Sequence, residues 1–541
     1  MTTPESKVAI IGADLAKMLA DGTGVFGLST ALHLARTGYK DVTVFDYQPY
    51  DQNAYNPNEG CDSASSDVNK IYRCSYGNEK EYQDLAFSGR PIWLEWNDAL
   101  ARTPASDLPP GLTPETKLFV PCGFLRLSNG PKLSGYDQES LEYLEKAGLR
   151  HHQHVIKDHD DMKRLEEKER ADPETRWRTK IDAFKPLKEG KLDGFIDTSA
   201  GFTYADKACA WARFLCEKEG VKFVLGPEVG KFADLLVDAP GEERKVTGLR
   251  TADDKEHLAD VVVVAWLRRE GGGWTPSIVP EVEGILETTA GSVVTISLPK
   301  DRPDLWSRFS PENFPVWAYG LQGHFSPEFG GFYGFPRTPD GRIKIGYRGR
   351  KWTNYQTDPR TGKRLSVPRT KYTVDKAVNL PIKAINHLKT MVAEMLPELT
   401  GVGITDTRMC WYTDSLDNSF VIDYVPGYGK SLFVASGGSG HGFKFLPVLG
   451  KHVVNALERV PDQFTPLWKW RVAAPGAHAN GLEEGEMSGR NLASLEMAKE
   501  SDWVWADEGA VKLGSEEVVA SKASEGVDDV AAKVEVLELS A

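Results

Sequence analysis

The sequence predicts an α/β fold in which a parallel sheet flanked by helices is interleaved with an antiparallel sheet of α+β character. Three observations carry that expectation. Two short apolar runs near the start, Val8-Ala9-Ile10-Ile11 and Val42-Thr43-Val44-Phe45, flank a segment of helical spacing. Two similar runs, Val261-Val262-Val263-Val264 and Leu432-Phe433-Val434-Ala435, recur far downstream. Between these blocks, 291–298 and 332–347 alternate apolar and polar residues, as half-buried antiparallel strands do.

Val8 to Ile11 ends at Gly12 and reads as a strand buried on both faces. Leu28, Ala31, Leu32 and Ala35 fall on one helical face over 28–36, and Gly38 follows as a stop. The next strand ends in Asp46, so strand, glycine turn, helix, strand and acid form a βαβ unit. Residues 207–220 repeat helical spacing through Ala208, Trp211, Phe214 and Leu215, and 221–225 follow as a strand. Residues 246–260 alternate around Asp253-Asp254-Lys255, which predicts a hairpin. A helix is expected over 445–457. Residues 478–541 are rich in Glu, Ala, Ser and Gly and are expected to form an acidic, weakly structured tail.

The chain has 541 residues, enough for two interleaved domains around a sizeable core. One is expected to span 7–95, 196–290 and 405–472, and the other 96–195 and 291–404. A net charge of −13 disfavours a nucleic-acid or anionic-membrane surface. No apolar run reaches the ~18–20 residues that cross a bilayer. The six cysteines lack C-x-x-C or zinc-like spacing, so neither a disulfide framework nor a metal site is expected. A cytoplasmic location is the default reading. A peroxisomal one would lack a recognisable signal, because the chain ends Leu539-Ser540-Ala541.

Backbone N–H groups at a glycine turn and a helix N-terminus suit a pyrophosphate. Gly12-Ala13, followed after ten residues by Gly24-Val25-Phe26-Gly27, spells G-x-G-x-x-G if 14–23 are removed, and Asp46 is placed to hold a ribose. The insert 14–23 breaks the motif as written. A second oddity, 266–271, precedes Gly272-Gly273-Trp274.

Two clusters in the second half carry candidate chemistry. The first is Phe332-Tyr333-Gly334-Phe335-Pro336 with Gly341-Arg342-Ile343-Lys344-Ile345-Gly346-Tyr347-Arg348, in which Arg342, Lys344 and Gly346 would share a strand face. The second is Cys410-Trp411-Tyr412-Thr413, then Gly438-Ser439-Gly440-His441-Gly442-Phe443-Lys444. By pattern alone a lone cysteine is ordinarily just buried, and a lysine at a strand edge or helix start is ordinarily solvated.

These motifs, in this order, resemble the monomeric sarcosine oxidase family of FAD-dependent amine oxidases. The fungal saccharopine and pipecolate oxidases and fructosyl amino acid oxidases are the nearest branch, and the likeness runs from about residue 7 to 471. The resemblance implies a Rossmann-like FAD-binding domain of glutathione-reductase type, with an antiparallel substrate domain covering the flavin. It implies covalent FAD on Cys410, dioxygen activation by Lys344, and a substrate carboxylate clamped by Arg73 and Lys444. Tyr333, Tyr412 and His441 match residues that shape the active site. Lys70 stands near the flavin. Gly12, Ala13, Gly24, Val25, Phe26, Gly27, Asp46, Gly272, Trp274, Gly438, Gly440, Gly442 and Phe443 match cofactor-binding positions. Arg348 departs from the sarcosine-type pattern, which has histidine there, and points to a larger or more anionic substrate.

The implied reaction oxidises the C–N bond of a secondary amine or N-substituted amino acid and yields hydrogen peroxide, with dioxygen as the second substrate and a monomer as the working form. Three alternatives stand beside it. One is a biosynthetic N-methyl amine oxidase, with the same residues, whose imine cyclises. Another is a dehydrogenase that passes electrons to a carrier. The third is a non-catalytic flavoprotein relic disabled by the insert in the glycine loop.

Overall fold

The computed structural model describes residues 2–11, 23–57, 59, 61, 65–238, 243–265, 275–320, 331–369, 380–472 and 485–505. Within them the chain forms a mixed α/β fold with two large sheets.

The first sheet has six strands in the order Val421–Tyr424, Leu432–Ser436, Val261–Val264, Val8–Ile11, Val42–Asp46 and Lys222–Leu225. Its inner pairs are parallel: Val8 lies opposite both Val261 and Val42, and Val262 opposite Leu432. Every residue of the Val8–Ile11, Val261–Val264 and Leu432–Ser436 strands is buried. Continuous apolar runs suit strands covered on both faces, and each fully buried Val or Ile contributes roughly 1.5–3 kcal/mol. The helices Val25–Arg36, Ala205–Lys218 and Leu449–Glu458 pack on one side of this sheet through Leu28, Leu32, Trp211 and Val453.

The second sheet has eight strands: Asp406–Ser415, Leu286–Ser297, Arg342–Trp352, Gly331–Gly334, Val316–Tyr319, Phe124–Leu127, Gly194–Asp197 and Gln153–Val155, in that order. Its pairs are antiparallel apart from Val316–Tyr319 with Phe124–Leu127. Arg342–Trp352 is an inner strand, so Lys344 does not stand at a sheet edge, where its pattern alone would have put it.

Several boundaries differ from the sequence reading. The first helix starts at Val25, a turn earlier than the spacing predicts, because Val25 and Phe26 are buried as well. The expected strand over 332–347 is two strands, Gly331–Gly334 and Arg342–Trp352, broken at Gly341 with φ 85°. The hairpin around Asp254 is present, and Phe232–Asp238 adds a third strand to it. The helix expected over 445–457 is a short 3₁₀ turn, Phe443–Phe445, followed by Leu449–Glu458.

Residues 485–505 depart from the expectation of a weakly structured tail. Asn491 bridges Thr353, Met497 bridges Pro381, and Arg490 pairs with buried Glu287 at 3.1 Å. Leu492 and Ala498 are buried in the core under the second sheet, and Trp503 and Trp505 pack against it. The composition is polar, but these few apolar groups are spaced to seat on an existing surface.

Candidate active site

Backbone alternation sets the site. Lys344 lies on the second sheet opposite Thr295, and Tyr333 lies opposite Gly346. A Cβ at Gly346 would meet the Tyr333 ring at 2.2 Å, so only glycine lets that ring lie across the strand. On the far side of Leu286–Ser297, Cys410 lies opposite Gly291 and Tyr412 opposite Thr289.

Lys344, Lys70 and Cys410 come together on a residue the sequence reading missed. Asp67, buried before the strand Lys70–Tyr72, accepts Lys344 Nζ and Lys70 Nζ on Oδ2, both at 2.6 Å. Arg408 approaches its other oxygen at 3.4 Å. Lys344 also donates to the Asn69 carbonyl at 2.9 Å. Lys70 Nζ stands 3.8 Å from Cys410 Sγ. Burial raises the Asp67 carboxyl, but Lys344, Lys70 and Arg408 outweigh it and hold Asp67 ionised. Burial lowers the Lys344 ammonium to about 8, against the pull of Asp67. Burial also pushes the Cys410 thiol up, yet Lys70, with Lys344 and Arg408, brings it below its ordinary value. Elsewhere burial wins: it pushes Cys122 up to about 11 and raises Cys74 and Cys216 too. Cys410 is thus set apart from buried structural thiols. Cys74, Cys122, Cys216 and Cys410 are free thiols.

A second cluster surrounds Tyr76, also unforeseen. The Arg73 guanidinium lies 3.9 Å from the centre of the Tyr76 ring and donates to the Ser75 carbonyl. Lys444 Nζ donates to Tyr76 Oη and to the His441 carbonyl, each at 2.7 Å. Tyr76 Oη lies 3.2 Å from His441 Nδ1, and His441 Nε2 lies 3.1 Å from the Asn418 carbonyl. Burial, then the charge of Lys444, lowers His441 far below its ordinary value, so the ring is neutral. A tautomer with Nε2–H donating to Asn418 and Nδ1 accepting from Tyr76 satisfies every partner. Burial and the charge of Arg73 likewise lower Lys444 far below its ordinary value.

The turn that delivers Lys444 is tight: Gly437, Ser439 and Gly440 all have positive φ. Trp93 Nε1 ties its end by donating to the Lys444 carbonyl at 2.8 Å. Gly442 lies against Phe26 and Gly438, where a Cβ would stand 3.2 Å from the Phe26 ring. Phe443 is buried in the same core. Arg348 donates to the Ser439 carbonyl at 3.3 Å. Lys351 pairs with fully buried Asp414 at 2.8 Å, beside the Tyr412 ring. The amide of Asn69 and the hydroxyls of Tyr412 and Thr413 are buried without a hydrogen-bond partner among the described residues.

At the first sheet, Gly24 is the N-cap of the helix Val25–Arg36, which begins Val25-Phe26-Gly27. Val25 and Phe26 direct their side chains into the core, leaving backbone amides as the functional groups there. Asp46 accepts from Thr23 N at 2.8 Å, Thr23 Oγ1 at 3.0 Å and Gln48 N at 2.8 Å. Thr23, the last residue of the insert 14–23, therefore fastens the helix start to the acid at the end of the second strand. Gly12, Ala13, Gly272 and Trp274 lie outside the described residues, as do 14–22 and 266–271. Among the described residues no group of three or more His, Cys, Asp or Glu could hold a metal ion, and no helix is long and apolar enough to cross a membrane.

Three comparisons extend this picture. The family described as FAD dependent oxidoreductase matches residues 22–456. L-saccharopine oxidase of Schizosaccharomyces pombe is 26% identical over 462 residues, covering 83% of this chain and 92% of that one. A monomeric sarcosine oxidase of Bacillus sp. strain NS-129 is 24% identical, covering 80% and 89%. The structure of fructosyl peptide oxidase from E. terrenum superposes with a TM-score of 0.68 at 24% identity, covering 92% of this chain and 99% of that one.

Proposed function

The chain belongs to the FAD dependent oxidoreductase family, and from that premise we propose that it oxidises the C–N bond of a secondary amine or N-substituted amino acid, with dioxygen as oxidant. The observation that carries this reading is the gathering of Lys344, Lys70 and Cys410 on Asp67, separate from the Arg73 and Lys444 pair around Tyr76.

The residues present fit a flavin. Asn69, Tyr412 and Thr413, close in sequence to Lys70 and Cys410, offer buried polar atoms without partners among the described residues, as the carbonyl and N–H edges of a flat ring would require. Gly24 and the amides of Val25, Phe26 and Gly27 suit the pyrophosphate of a Rossmann-like site, with Asp46 at the neighbouring strand end. Cys410, with its lowered thiol, would tether the ring covalently. When bound, the flavin supplies the two-electron acceptor and passes those electrons to dioxygen to give hydrogen peroxide.

The protein's own groups do the rest. Arg73 and Lys444 hold the substrate carboxylate, a fork and a point charge, and so fix where the amine carbon lies. Lys444 loses much of its proton affinity to burial, and an arriving carboxylate restores it. Tyr76 and neutral His441 keep both cations in place without adding charge. Tyr333 and Tyr412 wall the pocket. Lys344 places an ammonium in a buried, low-dielectric setting, where it stabilises the negative charge that develops as dioxygen is reduced. The product imine hydrolyses in water to a carbonyl compound and an amine.

The test is a visible spectrum of the purified protein with an anaerobic titration by N-methyl and N-alkyl amino acids. A yellow protein bleached by at least one of these, forming peroxide once air is admitted, supports the reading. A colourless protein, or a flavin that no such amine reduces, ends it.

A further inference from the structure

The buried and half-buried cations of the site divide into two groups. Lys344, Lys70 and Arg408 share the carboxylate of Asp67, and Lys351 pairs with Asp414. Arg73, Lys444 and Arg348 are held differently. Among the described residues no carboxylate pairs with any of the three; their partners are the Ser75, His441 and Ser439 carbonyls and Tyr76. Glu79 is the acid whose charge Arg73 and Lys444 feel, and burial raises its own pKa. Like charges gathered without an anion repel one another and are costly to desolvate, so such a cluster marks where an anionic ligand sits.

One substrate carboxylate accounts for Arg73 and Lys444, as proposed above. It leaves Arg348 over. Arg348 lies on the Lys344 face of its strand, two residues beyond Gly346, and its charge reaches Tyr333, Tyr412, His441 and Lys444. Its position is built rather than incidental. The Ser439 carbonyl takes one N–H, and the glycine at 440 leaves the space the guanidinium occupies, since a Cβ there would stand 3.2 Å from Nη2. A guanidinium so placed keeps most of its donors for a planar, bidentate anion.

We propose that Arg348 forms a second anion subsite, and that the substrate is a dicarboxylate: an amino acid whose nitrogen carries a second, carboxylate-bearing arm. This rests on the amine-oxidase reading and names the substrate class of the same site. The carboxylate on the amino acid side engages Arg73 and Lys444, and the distal carboxylate engages Arg348. The secondary amine lies between the two anchors.

The holoenzyme tests this with paired substrates: N-propyl-L-alanine against N-(2-carboxyethyl)-L-alanine, then arms lengthened one methylene at a time up to N-(4-carboxybutyl)-L-alanine. The wild type is expected to prefer the dicarboxylate of best length over its matched monocarboxylate by about thirtyfold or more in kcat/KM. Arg348→Gln should bring that ratio close to one, and Arg348→Glu should reverse it. Binding of the thioether dicarboxylate that replaces N–H by sulfur, followed through the flavin spectrum, checks the same ratio without turnover and shows that each variant keeps its flavin. Equal kcat/KM for both series in the wild type, or a preference that survives Arg348→Gln, overturns the subsite and leaves the amine-oxidase reading standing. Failure of both series to reduce the wild-type flavin removes that reading, and the subsite with it.

Discussion

Lys344 and Lys70 donate to the same oxygen, Oδ2 of Asp67, each at 2.6 Å, although their chain positions lie on different strands. Two ammonium groups converging on one oxygen repel each other, and the ionised carboxylate between them offsets that repulsion. Asp67→Asn should therefore destabilise the protein by about 3–5 kcal/mol, the usual cost of removing one partner of a buried ion pair. It should also slow reoxidation of the reduced enzyme, because Lys344 would lose the charge that keeps its proton. Thermal unfolding and stopped-flow reoxidation read the two effects; a variant as stable and as oxygen-reactive as the wild type would remove Asp67 from this account.

Lys344 is lowered to about 8, chiefly by burial. A lysine with a lowered pKa gives up its proton at lower pH than usual, so the ammonium is present below about 8 and lost above it. The second-order rate of reaction with dioxygen should fall as pH rises through that value. Lys344→Met should abolish this dependence and slow the reaction about a hundredfold or more, while reduction by substrate changes little. A rate that stays flat from pH 6 to 10 in the wild type contradicts the role.

The thiol of Cys410 is lowered where the other cysteines with resolved shifts are raised. Acid precipitation of the wild type should leave yellow colour in the pellet, and the same treatment of Cys410→Ala should release the flavin into the supernatant. Mass spectrometry of a tryptic digest should find the peptide of residue 410 heavier by the mass of FAD less two hydrogens, those of the S–H and C–H bonds that the thioether replaces. Colour in the wild-type supernatant would show that the tether does not exist.

Arg73 and Lys444 flank Tyr76 from ring face and hydroxyl. Arg73→Ala should raise KM on the order of thirtyfold or more, the cost of truncating one member of a buried charge contact. Reoxidation of the reduced enzyme should keep its rate. An unaltered KM, or a loss confined to oxygen chemistry, counts against the clamp.

Leu492 is buried under the second sheet although it belongs to a polar, glutamate-rich stretch. Leu492→Ala should lower stability by about 2–4 kcal/mol, visible as a clear drop in melting temperature. A change below about 0.5 kcal/mol, typical of a surface site, would show that 485–505 is held elsewhere.

The parts of the site legible in the sequence were those with local signatures. Alternation placed Arg342, Lys344 and Gly346 on one strand face, and a glycine-dense turn flagged the approach to Lys444. Four consecutive valines announced a doubly covered strand. Asp67 was invisible because its partnership with Lys344 spans 277 residues, and the stretch Ser65-Ser66-Asp67-Val68-Asn69 reads as an ordinary polar loop. Tyr76 carried a faint signal, three residues beyond Arg73, but a tyrosine after a polar segment is commonplace. The segment 485–505 was misjudged because composition averages over a window, whereas seating a chain on a surface needs only a few apolar anchors such as Leu492, Trp503 and Trp505.

The strand Leu432–Ser436 fills the place between Val261–Val264 and Val421–Tyr424 in a sheet whose first strand starts at Val8. A ribosome must therefore polymerise most of the chain before that sheet can close. Until then the bare edge of Val261–Val264 is an adhesive surface, exposed to other nascent chains. A premature stop between residues 265 and 431 would leave an aggregation-prone fragment in place of a shortened but working enzyme.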